Sequence, residues 1–306
     1  MPDKLKIISA ISIVFLLFVA SHSYARVWYV KQDGTGDAPT IQAAIDSAAA
    51  NDTVLVAPGT YTQRLIYVDK MYLTVVSENG AEETILHTSE VMIMGIGGAR
   101  HVTLKGFCLE NGSEGLSISV SPEDILIEDN IFRNLTGEAI SIEFMSNAVI
   151  RGNLIYSNGS GISLHEFSSA DIIQNTISHN TPGEGILTDG SSGLCYNSIR
   201  NNIISYNAIG VSGFCAEDFE CNDIFGNGSN VGPPPFGTNG NIAVDPQFCG
   251  VEPQVSGNYF LQSDSPCAPG KYPDEYPRVL IGRLPVGCQD TAVERTTWGA
   301  IKAIYR

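Results

Sequence analysis

Between residues 104 and 227 the chain repeats one short phrase, in which an asparagine, a few apolar positions and a second asparagine follow one another. Its copies are Asn130-Ile-Phe-Arg-Asn134, Asn153-Leu-Ile-Tyr-Ser-Asn158, Asn175-Thr-Ile-Ser-His-Asn180, Asn202-Ile-Ile-Ser-Tyr-Asn207 and Asn222-Asp-Ile-Phe-Gly-Asn227, with Phe107-Cys-Leu-Glu-Asn111 as a degenerate first member. A small residue and an alternating run follow, as in Gly115-Leu-Ser-Ile118, Ala139-Ile-Ser-Ile142, Gly161-Ile-Ser-Leu164 and Gly185-Ile-Leu-Thr188. Aliphatic pairs or triplets such as Ile125-Leu-Ile127, Val149-Ile150 and Ile172-Ile173 come before it. Each period of 20–27 residues therefore holds three strand-length pieces separated by Asn, Gly or Ser turns. The pieces alternate with period two and are too short for helices.

Strands this short cannot bury an apolar side alone. Stacking successive coils at about 4.8 Å gives each strand a parallel partner and closes a continuous apolar column. The repeat predicts two such interior columns, Leu104, Ile127, Ile150, Ile172, Ile199 and Phe219 in one, Leu109, Phe132, Ile155, Ile177, Ile204 and Ile224 in the other. Asparagine at the turns suits left-handed backbone and stacked amide hydrogen bonds. A β-sandwich also turns regularly, but it does not need one phrase repeated at this period. The expectation is an all-β chain, a right-handed parallel β-helix with an N-terminal capping helix and an irregular C-terminal cap.

The ends differ from the repeat. Lys4 and Lys6, the apolar run from Ile7 to Ala20, and Ser23-Tyr24-Ala25 read as a signal peptide, residues 1–25, cut after Ala25. The apolar run is shorter than the roughly 20 residues that span a bilayer, and no later segment is long and apolar enough to cross one. Thr40-Ile-Gln-Ala-Ala-Ile-Asp-Ser-Ala-Ala49 puts Ile41, Ala44, Ile45 and Ala48 on one helical face, a cap for the open end of the solenoid. The solenoid and its cap are expected over 26–230. A break at Gly232-Pro-Pro-Pro-Phe-Gly237 opens a capping segment over 231–290, with strands in Asn241–Phe248 and Tyr259–Cys267 stapled by Cys249, Cys267 or Cys288. A tail over 291–306 can form one short helix with Trp298, Ile301 and Tyr305 on a face.

The phrases Asp33-Gly-Thr-Gly36, Thr40-Ile-Gln-Ala-Ala-Ile-Asp46 and Pro58-Gly-Thr-Tyr61 resemble the entrance of the pectin lyase-like superfamily, and the Asn-x-Ile-x-x-Asn coils resemble the repeat of secreted bacterial β-helix proteins. The resemblance covers about residues 27–230 and implies architecture more than activity. The Gln-Asp-Thr-Leu, Asp-Phe-Ile-Phe-Gly and Leu-Gly-Arg-Pro-Trp phrases of pectin methylesterases are missing, and so are the polygalacturonase motifs. Asp223-Ile-Phe-Gly226 looks like a fragment of the second phrase, but its place in the asparagine repeat accounts for it.

Charge narrows the partners. With 17 Lys and Arg against 33 Asp and Glu, the formal charge is −16, which repels nucleic acid and, unless a cation bridges, acidic polysaccharide. Calcium is therefore the one cofactor the sequence suggests, although no dense Asp cluster marks a site. Seven cysteines in an exported chain imply disulfides and leave at least one unpaired.

Alternation also aligns Ser119, Glu143, His165 and Asp189 as one outward column, one coil apart. Glu143, His165 and Asp189 could share protons or hold a cation, and they are the candidate catalytic residues. A solvated column on an acidic protein is the competing reading. Lys105, Glu128 and Arg151 alternate in sign along another column and suggest cross-coil ion pairs, so they are poor candidates for a lyase base.

Three function classes follow. The first is an exported protein, periplasmic, on the cell surface or extracellular, that binds a polysaccharide or cell-surface glycan. The second is a polysaccharide lyase or glycoside hydrolase working on the outer face. The third is a periplasmic metal-handling β-helix of the copper-insertion kind, against which five methionines, the lack of a His-rich tract and the lack of Cys-x-x-Cys count.

Overall fold

The computed structural model describes residues 25–288 apart from 88, 95–97, 189–195, 214–215, 231–237 and 272–278. Nearly all of the expected leader, the proline-rich break, the C-terminal tail and Asp189 lie outside the described residues. The chain winds into three parallel sheets, and each full coil contributes one strand to each. The first sheet has nine strands, from Val27–Val30 to Asp218–Glu220. The second has eight, from Gly59–Thr62 to Asp223–Phe225, and the third seven, from Ile66–Val68 to Ile209–Ser212. This is the right-handed parallel β-helix that the repeat predicts, with the crossover hand that parallel connections favour.

Register follows the apolar columns. Leu104 pairs with Ile127, Ile127 with Ile150, Ile150 with Ile172, Ile172 with Ile199 and Ile199 with Phe219. In the second sheet Leu109, Phe132, Ile155, Ile177, Ile204 and Ile224 stack in the same way. All are buried in one continuous core.

Asparagines hold the coils together at the corners. Asn130, Asn153, Asn175, Asn202, Asn222 and Asn241 form one ladder, each accepting from the backbone N–H of the ladder residue one coil before, at 2.9–3.1 Å. Each also donates to a carbonyl of the preceding coil, as Asn153 does to Ile127 at 2.9 Å. Asn158, Asn180, Asn207 and Asn227 build a second ladder. Two details differ from the sequence reading. Left-handed backbone falls on the residue before the ladder position, at Asp129, Gln174, Asn201 and Cys221, and not on the ladder asparagine. Leu135, rather than Asn134, stands in register with Asn158, whose carbonyl accepts from the Leu135 N–H.

The helix Ile41–Ser47 covers the open end. Thr40 caps it by accepting from Ala43 N–H at 3.1 Å, and Ile41, Ala44 and Ile45 are buried against the first strands. Asp52 pins the entry, accepting from the Arg26 and Ala49 backbones and from the Trp28 indole.

At the other end Asn241 and Ile242 add to the last coil, and the chain then turns back along the outside of the second sheet. Outward Cys108, Ile131, Leu154 and Ile203 meet Phe248, Tyr259, Leu261, Cys267, Leu280 and Ile281 in a second apolar core. The segment forms a short helix, Pro253–Ser256, and isolated bridges rather than full strands. Its staple is the Cys249–Cys288 disulfide. Cys267 is instead a buried free thiol that donates to Asp223 at 3.1 Å.

Candidate functional site

The outer face of the third sheet carries the chemistry. In the strands Leu116–Ser119, Glu138–Ile142 and Ser160–Leu164, inward Ile118, Ile142 and Leu164 belong to the core, so alternation turns Ser117, Ser141 and Ser163 outward. These serines stand in register, followed by Leu187 and Ser212 on the next coils. Although they face outward, Ser117, Ser141, Ser163 and Ser212 are only 8, 3, 1 and 7% exposed. This strip of short side chains, called the serine groove below, is covered by its taller neighbours. The hydroxyls of Ser163 and Ser212 are buried without a hydrogen-bond partner, an arrangement that costs free energy unless something fills it.

Glutamates rim the floor. Glu138 and Glu184 open their strands, and Glu114 lies one residue before Gly115, whose N–H bonds to the Glu138 carbonyl. Glu90 hydrogen-bonds Ser117; burial, together with the nearby carboxylates of Glu114 and Glu143, pushes its carboxyl above the usual range. A carboxyl held protonated to higher pH by burial and neighbouring carboxylates suits a proton donor.

Of the residues the sequence singled out, Glu143 and His165 do lie one coil apart, each donating its N–H to the preceding coil, to Ile118 and Ile142. Their side chains turn to other partners. Ser141 donates to Glu143 at 2.9 Å, and the His165 imidazole lies 3.4 Å from Glu138. Glu138 and His165 come from opposite ends of neighbouring strands, so their pair crosses the serine face. Asp189 falls outside the described residues. The sequence reading missed Glu90, Glu114 and Glu138. A signal for two of them was present: Glu114 and Glu138 each stand directly before the small residue that opens the Gly/Ala-Ile phrase, as Glu184 does.

Beyond the C-terminal edge of the groove runs an apolar ridge. Phe144, Met145 and Phe167 are 47, 66 and 65% exposed. Val120–Ser121, Phe144–Met145 and Glu166–Phe167 all have positive φ, and backbone bonds from Ser121 to Phe144 and from Met145 to Glu166 stack the turns. Left-handed backbone costs a bulky residue roughly 1–2 kcal/mol. The turns hold aromatic rings in water on left-handed backbone, a conformation that polar residues such as Asp129, Gln174 and Asn201 take at other corners of the coil.

Outside the groove, the charged columns are internally satisfied. Glu128 takes Lys105 at 2.5 Å and Arg151 at 2.6 Å, the cross-coil pairs expected from the sequence. In the second sheet Glu110 takes His87 at 2.9 Å and Arg133 at 2.6 Å.

Three sheets wound about one apolar column define a pectin lyase-like parallel β-helix. Over residues 45–232 the chain matches the family described as periplasmic copper-binding protein (NosD), and it belongs to that family. It is thus a periplasmic β-helix protein, and no helix among the described residues is long and apolar enough to cross a membrane. No curated protein matches it. Among solved structures, the crystal structure of pectate lyase Pel9A is similar with a TM-score of 0.46 and 12% identity, covering 87% of this chain and 98% of that one.

Family membership overturns the sequence argument against a copper-handling lineage. The donor set among the described residues still does not build a copper centre. Among the described residues no three His, Cys, Asp or Glu side chains group to hold a metal, calcium included. His87, His101 and His165 are each paired with a different carboxylate, and His179 with hydroxyls. The free thiols Cys108, Cys221 and Cys267 are buried. Burial raises the pKa of each, that of Cys108 to about 12, so they stay protonated and poor as ligands.

Proposed function

We propose that this protein is a periplasmic glycan-binding β-helix whose third-sheet groove takes a neutral polysaccharide. The observation that carries the reading is the pairing of a buried serine floor, with the Ser163 and Ser212 hydroxyls unpartnered, and an exposed ridge of Phe144 and Phe167. Sugar hydroxyls both donate and accept, which suits serine and glutamate; the apolar faces of the rings suit phenylalanine. The groove is rimmed by Glu90, Glu114, Glu138, Glu143 and Glu184 on a chain of charge −16, so polyuronates are disfavoured. Copper, named in the family description, has no donor set in the described residues and is not part of this reading.

A second reading, glycoside hydrolysis in the same groove, is favoured by one observation. Burial raises the Glu90 carboxyl and the Glu143 carboxylate contributes to the shift, so this face holds two carboxyl groups near each other, the pair of residue types that cleavage of a glycosidic bond uses.

The test is a binding and depolymerisation screen of the purified protein on neutral and acidic polysaccharides, with and without calcium. Phe144→Ala/Phe167→Ala and Glu143→Ala/His165→Ala/Asp189→Ala variants run beside it. Binding of neutral chains that is lost in the aromatic variant supports the first reading. Reducing ends that disappear in Glu90→Gln or Glu143→Gln support the second. Indifference of the folded variants to every polysaccharide refutes both.

A further inference from the structure

The back-folded segment leaves a cleft against the second sheet, on a different face from the serine groove and sharing no residue with it. Its volume is about 350 Å³, and His179, Tyr206, Asp245, Gln247, Gln254 and Gln262 supply its ring and polar atoms. Ligand pockets begin at roughly 300 Å³. We infer that this cleft is a second binding site, built for one uncharged ring of monosaccharide size that carries several hydroxyls.

The aromatic wall is fixed in place. His179 and Tyr206 occupy the same turn on adjacent coils, each with a φ of 57°, and their rings lie 4.9 Å apart. Phe225 supports Tyr206 edge-on at 5.7 Å, and the Tyr206 hydroxyl reaches Asp245 at 3.4 Å. The Nδ1 of His179 meets the Ser178 hydroxyl at 2.8 Å and the Tyr259 hydroxyl at 3.2 Å. Nε2 is then the remaining hydrogen-bonding edge of the imidazole. Burial lowers the His179 pKa, which keeps the ring uncharged near neutral pH.

Opposite stand carboxamides. The Gln254 Oε1, on the short helix Pro253–Ser256, is buried with no partner, the unmet acceptor that a ligand hydroxyl would satisfy. Gln262 gives its amide to the Phe248 carbonyl at 3.1 Å, which leaves its oxygen. Asp245, already accepting from the Gln247 N–H at 2.9 Å, is the one charge lining the cleft. A carboxylate with no lining Lys or Arg disfavours an anion. A single carboxylate already engaged is a weak hold for a cation. Amides, a carboxylate and ring faces match a neutral polyol ring, in which each hydroxyl gives and takes a bond. The Cys249–Cys288 disulfide anchors the lip that bears Gly250 and Val251.

The inference stands apart from the groove and is tested separately. Saturation-transfer NMR and calorimetry on the full protein would use glucose, galactose, mannose and xylose, with glucosamine and inorganic phosphate as charged comparators. At least one neutral sugar should bind more tightly than both comparators. Tyr206→Ala should weaken it about tenfold, the scale of one lost ring contact with its buried area. Gln254→Leu should also weaken it, while Phe144→Ala/Phe167→Ala leaves it unchanged. Gln254→Leu sits on a half-exposed helix and keeps the test open if Tyr206→Ala fails to fold. Stronger binding of phosphate or glucosamine, no binding of any neutral sugar, or neutral-sugar affinity unchanged in both folded variants would overturn the assignment.

Discussion

Replacing one interior asparagine should cost far more than its size suggests. Asn153 is fully buried and serves two coils at once. Its carbonyl accepts from the Asn130 backbone at 2.9 Å and from the Asn130 amide at 3.2 Å. Its amide donates to the Ile127 carbonyl at 2.9 Å and to the Asn175 carbonyl at 3.0 Å. Asn153→Ala strands the Asn130 N–H and deprives the Ile127 carbonyl of this donor. At about 1–3 kcal/mol for each buried group left unsatisfied, the loss is about 2–6 kcal/mol. Asn153→Asp keeps the acceptor but replaces a donor with charge facing the Ile127 and Asn175 oxygens. It should be worse than alanine at neutral pH and recover part of the loss in acid, where the protonated carboxyl donates again. Asn147→Ala, which removes one bond to the Asp124 N–H at the surface, is the comparison and should cost under about 1 kcal/mol. Urea titration followed by far-UV circular dichroism reads the difference as a fall in midpoint at constant slope. Equal losses for Asn153→Ala and Asn147→Ala would refute the ladder argument, and a pH-independent Asn153→Asp would refute its electrostatic half.

Three further outcomes follow from the same structure. Burial raises the Asp223 carboxyl from 3.8 to about 7. Native stability from this group is therefore fullest below its unfolded value and declines as pH rises to about 7, so Asp223→Asn should stabilise at pH 7.5 and lose that advantage near pH 4 in thermal scans. The Cys249–Cys288 bridge closes a span of 39 residues, worth about 4 kcal/mol by loop entropy; reduction should lower the melting temperature, and an unchanged melt would show that the second core holds the segment alone. Phe167→Gly relieves a φ of 65° and loses an exposed ring, so it should leave stability level or higher by up to about 1 kcal/mol while weakening glycan binding, and a destabilised variant would mean that the ring packs rather than binds.

The interior of the solenoid was legible because a column of side chains must repeat at the coil period whatever else varies. The same logic held a clue that the sequence reading passed over. Cys108-Leu109, Ile131-Phe132, Leu154-Ile155 and Ile203-Ile204 place apolar residues at consecutive positions of three-residue strands. In a strand, consecutive positions face opposite ways, so both sides of the second sheet had to be covered. The inner member of each pair fills the main core, and the outer member is what the back-folded segment buries. The partner of His165 was not legible in this way. Register places Glu143 one coil away, but the long side chains of His165 and Glu138 meet instead, and side-chain direction is not set by register.

That contrast explains why membership of a family settles so little of the chemistry here. Interior columns and asparagine ladders bind every coil to the next, so a change in one coil is felt by its neighbours. An outward column carries no such restraint: Lys105, Glu128, Arg151, Ile173, Arg200 and Glu220 occupy one register position with different side chains and an unchanged ladder. A metal-binding member and a glycan-binding member can therefore share every structural element of this fold and differ only at outward positions. The informative residues are the ones the fold would not choose for itself. Here these are the buried Ser163 and Ser212 hydroxyls with no partner and the Phe144 and Phe167 rings held in water on left-handed backbone. Neither feature stabilises the solenoid, and both border the same groove, which is the ground for reading that face as the working surface.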